Sequence, residues 1–113
     1  MKGILIKEGY QLKLLTEELK KQLPTLSEID KDPLVYIKYF HPLSSWSWYV
    51  CAFDPEREIF TGMVDGFETE WGDFSLREME EVEVMSLGIE RDLHFNKIRL
   101  SELKKSINRH KRR

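Results

Sequence analysis

The stretch between Val35 and Glu70 limits the fold more than any other part of the chain. Val35-Tyr36-Ile37-Lys38-Tyr39-Phe40 and Trp46-Ser47-Trp48-Tyr49-Val50-Cys51-Ala52-Phe53 are runs of β-branched and aromatic residues, the types that fill a pleated, half-buried surface. His41-Pro42-Leu43-Ser44-Ser45 separates them as a turn, and Asp54-Pro55-Glu56-Arg57 follows with proline at a favoured turn position. A third strand is expected from Glu58 to roughly Glu70, where Gly62 and Gly66 mark a bulge or a close approach to the backbone. Connections this short join antiparallel neighbours, so the three strands read as a meander. In the second strand, period two puts Trp46, Trp48, Val50 and Ala52 on one face and Tyr49, Cys51 and Phe53 on the other.

Helical signals flank this sheet. Thr16 is a good N-cap for a short helix, with Glu17 and Glu18 in its first turn, Lys20 and Lys21 near its last, and Pro24 as its stop. Leu15, Leu19 and Leu23 make its apolar stripe. Ser27 to Pro33 reads as a loop. From Asp73 to Val82 the period changes, and Ser75 with Glu78 forms a capping-box pattern for a second helix. Leu87-Gly88-Ile89 is a break, Asp92 to Phe95 a short fourth strand with Leu93 and Phe95 on one face, and Ser101 to Ile107 the start of a last helix. The expected fold is α+β: a three-stranded antiparallel meander plus a short fourth strand, with two to three short helices covering one face. It forms a single domain over 1–113, divided into an arm (1–13, where Ile4, Ile6, Leu12 and Leu14 alternate), a core (14–103) and a basic tail (104–113).

At 113 residues and 41% hydrophobic, the chain has material for one core. A single cysteine, Cys51, excludes an intrachain disulfide framework and a cysteine-rich zinc site. No apolar run is long enough for a membrane span, and the N-terminal apolar stretch is too short for a signal peptide, so a soluble cytoplasmic protein is expected, with no membrane partner. The net charge of −2 conceals two poles. Residues 54 to 92 hold 13 acidic side chains against three basic ones, a local balance of −10, whereas 104 to 113 holds six basic and none acidic. Such poles can serve two partners, keep the protein soluble, or meet each other when a flexible tail folds back over less than a Debye length, about 8–10 Å.

Several groups have the chemistry for a site. Trp46 and Trp48 share a face and could flank one ligand, or pack beneath helices as core. Glu68 and Glu70 would lie on one face of a strand, and Asp92 with His94 repeats that spacing. Together they could hold a hard cation or do acid–base work, provided the two stretches meet, or they could form a solvated face. No spacing suits a transition metal, and no cofactor is expected. Cys51 with His41 or His94, and Ser44 or Ser45, are the only nucleophile candidates. Cys51 lies among apolar neighbours and reads as an inert buried thiol, so no catalytic residue is assigned. Lys104, Lys105, Arg109, Lys111, Arg112 and Arg113 could contact phosphates, or form a cationic helix end followed by a frayed tail.

Taken together, Leu14-Leu15-Thr16-x-Glu18, Leu23-Pro24-x-Leu26, Asp32-Pro33, Phe40-x-Pro42, Trp46-x-Trp48-Tyr49, Phe53-Asp54-Pro55, Gly62-x-Val64-x-Gly66-x-Glu68-x-Glu70-x-Gly72-x-Phe74-Ser75 and Glu90-Arg91-Asp92-x-x-Phe95 resemble a small family of uncharacterised bacterial, plasmid and phage proteins, a domain of unknown function. The resemblance covers about residues 14–96 and departs at both ends. It implies no catalytic residues. Members often occur near anti-restriction genes, which implies an accessory or anti-defence role for a mobile genetic element, exerted by binding a host or element protein. The expected function is therefore a non-enzymatic protein-interaction module. A nucleic-acid-binding accessory protein using the basic tail is the first alternative, and a small enzyme or metal/ligand binder using Glu68, Glu70, Asp92 and His94 the second.

Overall fold

A computed structural model describes residues 13–111. The expected arm at 1–13 lies outside these except for Lys13, and Arg112 and Arg113 of the tail also lie outside them. The first helix, α1 (Glu17–Gln22), begins as expected: the Thr16 hydroxyl accepts from the Leu19 amide at 3.1 Å, a cap worth about 1 kcal/mol. A short 3-10 turn at Leu26–Glu28 interrupts the expected loop, closed by reciprocal bonds between Thr25 and Glu28.

The strands are β1 (Leu34–Val35), β2 (Ile37–Phe40), β3 (Ser47–Asp54), β4 (Ile59–Asp65), β5 (Thr69–Ser75), β6 (Glu90–Arg91) and β7 (Ile98–Arg99). The helices after α1 are α2 (Leu76–Glu81) and α3 (Leu100–Lys111). The fold is α+β, with five strands in the order β5-β4-β3-β2-β6, all neighbours antiparallel, beside a two-stranded β1-β7 pair. The meander is thus longer than expected. The single strand from Glu58 to Glu70 is instead a hairpin, because the chain turns at Gly66-Phe67-Glu68 and pairs Asp65 with Thr69. The Thr69 hydroxyl donates to Asp65 Oδ1 at 3.3 Å, and the Gly66 amide to the Glu68 carbonyl at 3.1 Å. Consequently Asp73 and Phe74, where the period changes, belong to β5, which runs up to the Ser75 cap. Ser75 still caps α2, accepting from the Glu78 amide at 3.2 Å.

The fourth strand is also displaced. Glu90 and Arg91 pair with Phe40 and Tyr39, while Asp92 to Phe95 turns away, its bend held by Asp92 Oδ1 accepting from the His94 amide at 2.9 Å. Leu93 is therefore exposed, and Phe95 reaches the core alone.

Helices cover both faces of the sheet, not one. On the first face Leu14, Ile37, Tyr39, Val50, Phe53, Phe60, Leu76 and Met79 form a core sealed by Leu15, Leu19 and Leu23 of the α1 region. On the second, α3 lays Leu100 and Leu103 against Val35, Tyr49, Cys51 and Met63. The expected face pattern of β3 holds as far as Cys51 and then shifts. Val50 pairs with Gly62, but Ala52 pairs with Thr61, so Cys51 is the extra residue of a bulge. Phe53 is thereby returned to the face of Val50. Gly62 makes the bulge feasible: a Cβ there would fall 1.8 Å from the Tyr49 carbonyl oxygen.

Candidate functional site

Trp46 and Trp48 are neither open nor fully packed. Trp48 borders the first core, and both indoles are half-buried, 6.0 Å apart. The β4–β5 turn rises over Trp46. Gly66 lies so close under the indole that a Cβ there would meet ring carbons at 2.6 Å. Phe67 meets the same ring edge-to-face at 5.4 Å, yet remains 93% exposed. Edge-to-face contact suits the aromatic quadrupole and positions the phenyl ring while leaving its outer surface to solvent. The result is a fixed apolar tip flanked by Glu68 in the turn and Glu70 on β5, both exposed.

Glu68 and Glu70 therefore do not sit two residues apart on one strand face. Nor do they meet Asp92 and His94. Glu70 is on β5 at one edge of the sheet, and Asp92 follows β6 at the other, with β4, β3 and β2 between. Asp92 is structural: its amide donates to the Lys38 carbonyl at 2.9 Å, and its carboxylate lies 3.9 Å from Lys38 Nζ. Among the described residues, no group of three or more His, Cys, Asp or Glu is placed to hold a metal ion.

The basic segment, for which a frayed tail was one of two readings, is a regular helix as far as Lys111. Two of its cations are engaged within the molecule. Lys105 lies 3.3 Å from Glu102, and Lys111 Nζ donates to Asp65 Oδ1 at 2.6 Å. The second contact brings the positive end of α3 onto the β4–β5 hairpin, so the two charge poles meet. Lys104 and Arg109 remain on exposed positions.

The start of α3 uses a partner that local sequence does not reveal. Asp32, from the loop before β1, accepts from the Ser101 amide at 2.8 Å and from the Ser101 hydroxyl at 2.7 Å. These bonds, the hydroxyl's first, hold the Asp32 carboxyl below the usual carboxylate range, with Arg99 and Lys104 adding to the effect. Arg99 donates to the Asp32 carbonyl at 3.1 Å and faces Asp30 at 3.5 Å.

The nucleophile candidates do not converge. Cys51 is fully buried, and desolvation pushes its thiol up to about 12. His41 lies at the far end of the β2–β3 pair from it, as the Ile37–Val50 and Phe40–Ser47 registers require. The His41 ring is committed to structure. Nδ1 accepts from the Leu43 amide at 3.1 Å, which leaves Nε2 to donate to the Leu87 carbonyl at 3.0 Å. His94, Ser44 and Ser45 are exposed. A half-open cleft of about 140 Å³ beside Pro24, Asp30, Tyr36 and Arg99 is smaller than ordinary ligand sites, ~300 Å³ and above.

A family model described as protein of unknown function (DUF2958) matches residues 5–112. The chain belongs to the DUF2958 family. No curated protein and no solved structure matches it. The DUF2958 match begins before the segment where the sequence resemblance starts and runs through α3, so the expected departures at both ends do not hold: residues 5–13 and the basic end as far as 112 lie within the family's domain. Among the described residues of this DUF2958 chain, no helix is long and apolar enough to cross a membrane.

Proposed function

We propose that this chain is a non-enzymatic protein-interaction module. The observation that carries the reading is Phe67, displayed at 93% exposure on a turn braced by Trp46. Ordering a large apolar ring in water is unfavourable unless a partner removes it from water, and such rings anchor interfaces. Glu68 and Glu70, both exposed just after Phe67, favour a partner with an apolar pocket rimmed by Lys or Arg. The partner we have in view is a protein of the host or of a mobile genetic element, consistent with the accessory or anti-defence role implied by the resemblance; cytoplasmic residence belongs to the same proposal. The test is capture of partners from host lysates on the immobilised protein. A stoichiometric partner that is lost with Phe67→Ala, and weakened by salt and by Glu68→Lys with Glu70→Lys, supports the module. A partner indifferent to all of these changes, or none across varied hosts, overturns it.

A second reading, nucleic-acid binding, is favoured by one observation: Lys104 and Arg109 are exposed on a regular helix and not on a loose tail. Against it, Lys105 and Lys111 are already paired with carboxylates. A gel shift that disappears with Lys104→Glu and Arg109→Glu would establish it; unchanged binding, or no shift at low salt, removes it.

A further inference from the structure

The two edges of the main sheet are treated differently. One ends in β6, two residues long, and a strand that short offers little for another chain to pair with. The other ends in β5, seven residues long, with no strand on its outer side among the described residues. Proteins usually protect such an edge with charged side chains, lysine above all, with proline or with a bulge; β5 carries two charges, Glu70 and Asp73, and the Asp73 carboxylate is taken up by the Thr61 hydroxyl at 2.7 Å. Thr69-Glu70-Trp71-Gly72-Asp73-Phe74-Ser75 has no lysine or proline, its register with β4 is unbroken, and it exposes 47% of Trp71.

The hydrogen bonds of the hairpin show which backbone groups are open. The Leu76 amide donates to the Glu58 carbonyl at 3.1 Å at one end, and the Gly66 amide to the Glu68 carbonyl at 3.1 Å at the other. Because antiparallel pairs alternate, Glu70, Gly72 and Phe74 face β4, and Thr69, Trp71, Asp73 and Ser75 turn their N–H and C=O groups outward. An added antiparallel strand must bond to those four.

We infer that β5 is the interface of a homodimer, pairing antiparallel with β5 of a second copy about a two-fold axis through Gly72. The strand is self-complementary in that register. Trp71 bonds opposite Asp73 of the second copy and Thr69 opposite Ser75, so all four open residues are used. Gly72 faces Gly72 and Glu70 faces Phe74, so no like charges stand directly opposite. Moving the axis onto Asp73 or Glu70 would oppose two carboxylates. The two Trp71 rings lie diagonally on one face, ~7–8 Å apart by strand geometry and within reach of each other. Gly72 stands where two backbones come closest, ~4.5 Å between Cα atoms of a non-hydrogen-bonded pair, and the space beside its missing Cβ is empty. The axis is perpendicular to the joined sheet, so both Phe67 tips face the same side. This inference is independent of what Phe67 binds.

The experiment is sedimentation equilibrium on the whole chain, from low micromolar to sub-millimolar, with Trp71→Glu and Trp71→Lys as variants and near-ultraviolet circular dichroism to confirm folding. The wild type is expected to dimerise. Trp71→Glu, which sets a carboxylate against Asp73 twice, is expected to weaken it about tenfold or more. Trp71→Lys, which sets an ammonium against the same aspartate, is expected to dimerise better than Trp71→Glu. Gly72→Cys reads the register: a mild oxidant should give a covalent dimer on a non-reducing gel, since ~4.5 Å lies within disulfide range. A wild type that stays monomeric, a folded Trp71→Glu variant that dimerises undiminished, or a Gly72→Cys variant that does not crosslink would each overturn the assignment.

Discussion

Glycines that look alike in the sequence have opposite duties. Gly62 lies under the Tyr49 carbonyl, which is backbone and cannot step aside, so Gly62→Ala should cost about 3 kcal/mol or more and unravel the Cys51 bulge. Gly72 borders empty space, and Gly72→Ala should be neutral or stabilise by about 0.5–1 kcal/mol. Urea midpoints of the two variants compare them directly. Cys51 offers a second check. With its thiol pushed up to about 12, it stays protonated through neutral and mildly alkaline pH. A thiol reagent at pH 8 should therefore label the protein at the rate of unfolding, and prompt labelling of the native state would contradict the burial. Much of this could be read in advance. The apolar neighbours of Cys51 and the Gly62 signal were plain. The position of the bulge was not, because one extra residue leaves no compositional mark, and with it the face of Phe53 was misplaced.

Among the elements, α1 and α2 were legible because their caps, Thr16 and Ser75, are local. The start of α3 was legible to within one residue, Ser101 against the observed Leu100, but its cap was not, because it comes from Asp32, 69 residues before Ser101. Asp32 is depressed in the folded state, so its contribution is complete above the ordinary carboxylate range and is lost as pH falls through the lowered value. Hydrogen exchange in the first turn of α3 should speed up with Asp32→Ala at neutral pH, and in the wild type only on acidification; equal protection in both proteins would refute the clamp. The link between α2 and β6 hid for another reason. Val84 and Leu87 bond to each other across Met85 and Ser86, whose φ values of 54° and 70° form a two-residue hairpin turn. Asn and Gly favour that conformation and methionine does not, so the break was expected at Gly88. Met85→Asn should raise stability by about 1 kcal/mol, measured by thermal unfolding. The β4–β5 turn did carry a signal, Asp65-Gly66, but the alternation of Gly62, Val64 and Gly66 ran straight past it.

Over the whole molecule, the sheet separates two cores, and α3 is tied down at both ends by aspartates from distant segments, Asp32 of the loop before β1 and Asp65 at the end of β4. The Lys111–Asp65 pair is half in solvent on the lysine side. Asp65→Asn should cost less than about 1 kcal/mol, and the difference should fade as salt rises. A salt-independent loss would mean that Asp65 acts through its turn bond to Thr69 instead. α+β architecture followed from strand and helix signals alone, whereas the placement of helices on both faces depended on contacts between segments far apart in the chain.

The same Lys111 contact bears on how the protein can be handled. Anything joined beyond Lys111, such as a purification handle or a fused reporter, starts beside the hairpin that carries Phe67 and would screen it. Lys13, whose carbonyl accepts from Arg91 Nε at 3.1 Å, leaves from the opposite edge of the sheet. A label placed on Lys13 itself would sit away from the aromatic tip.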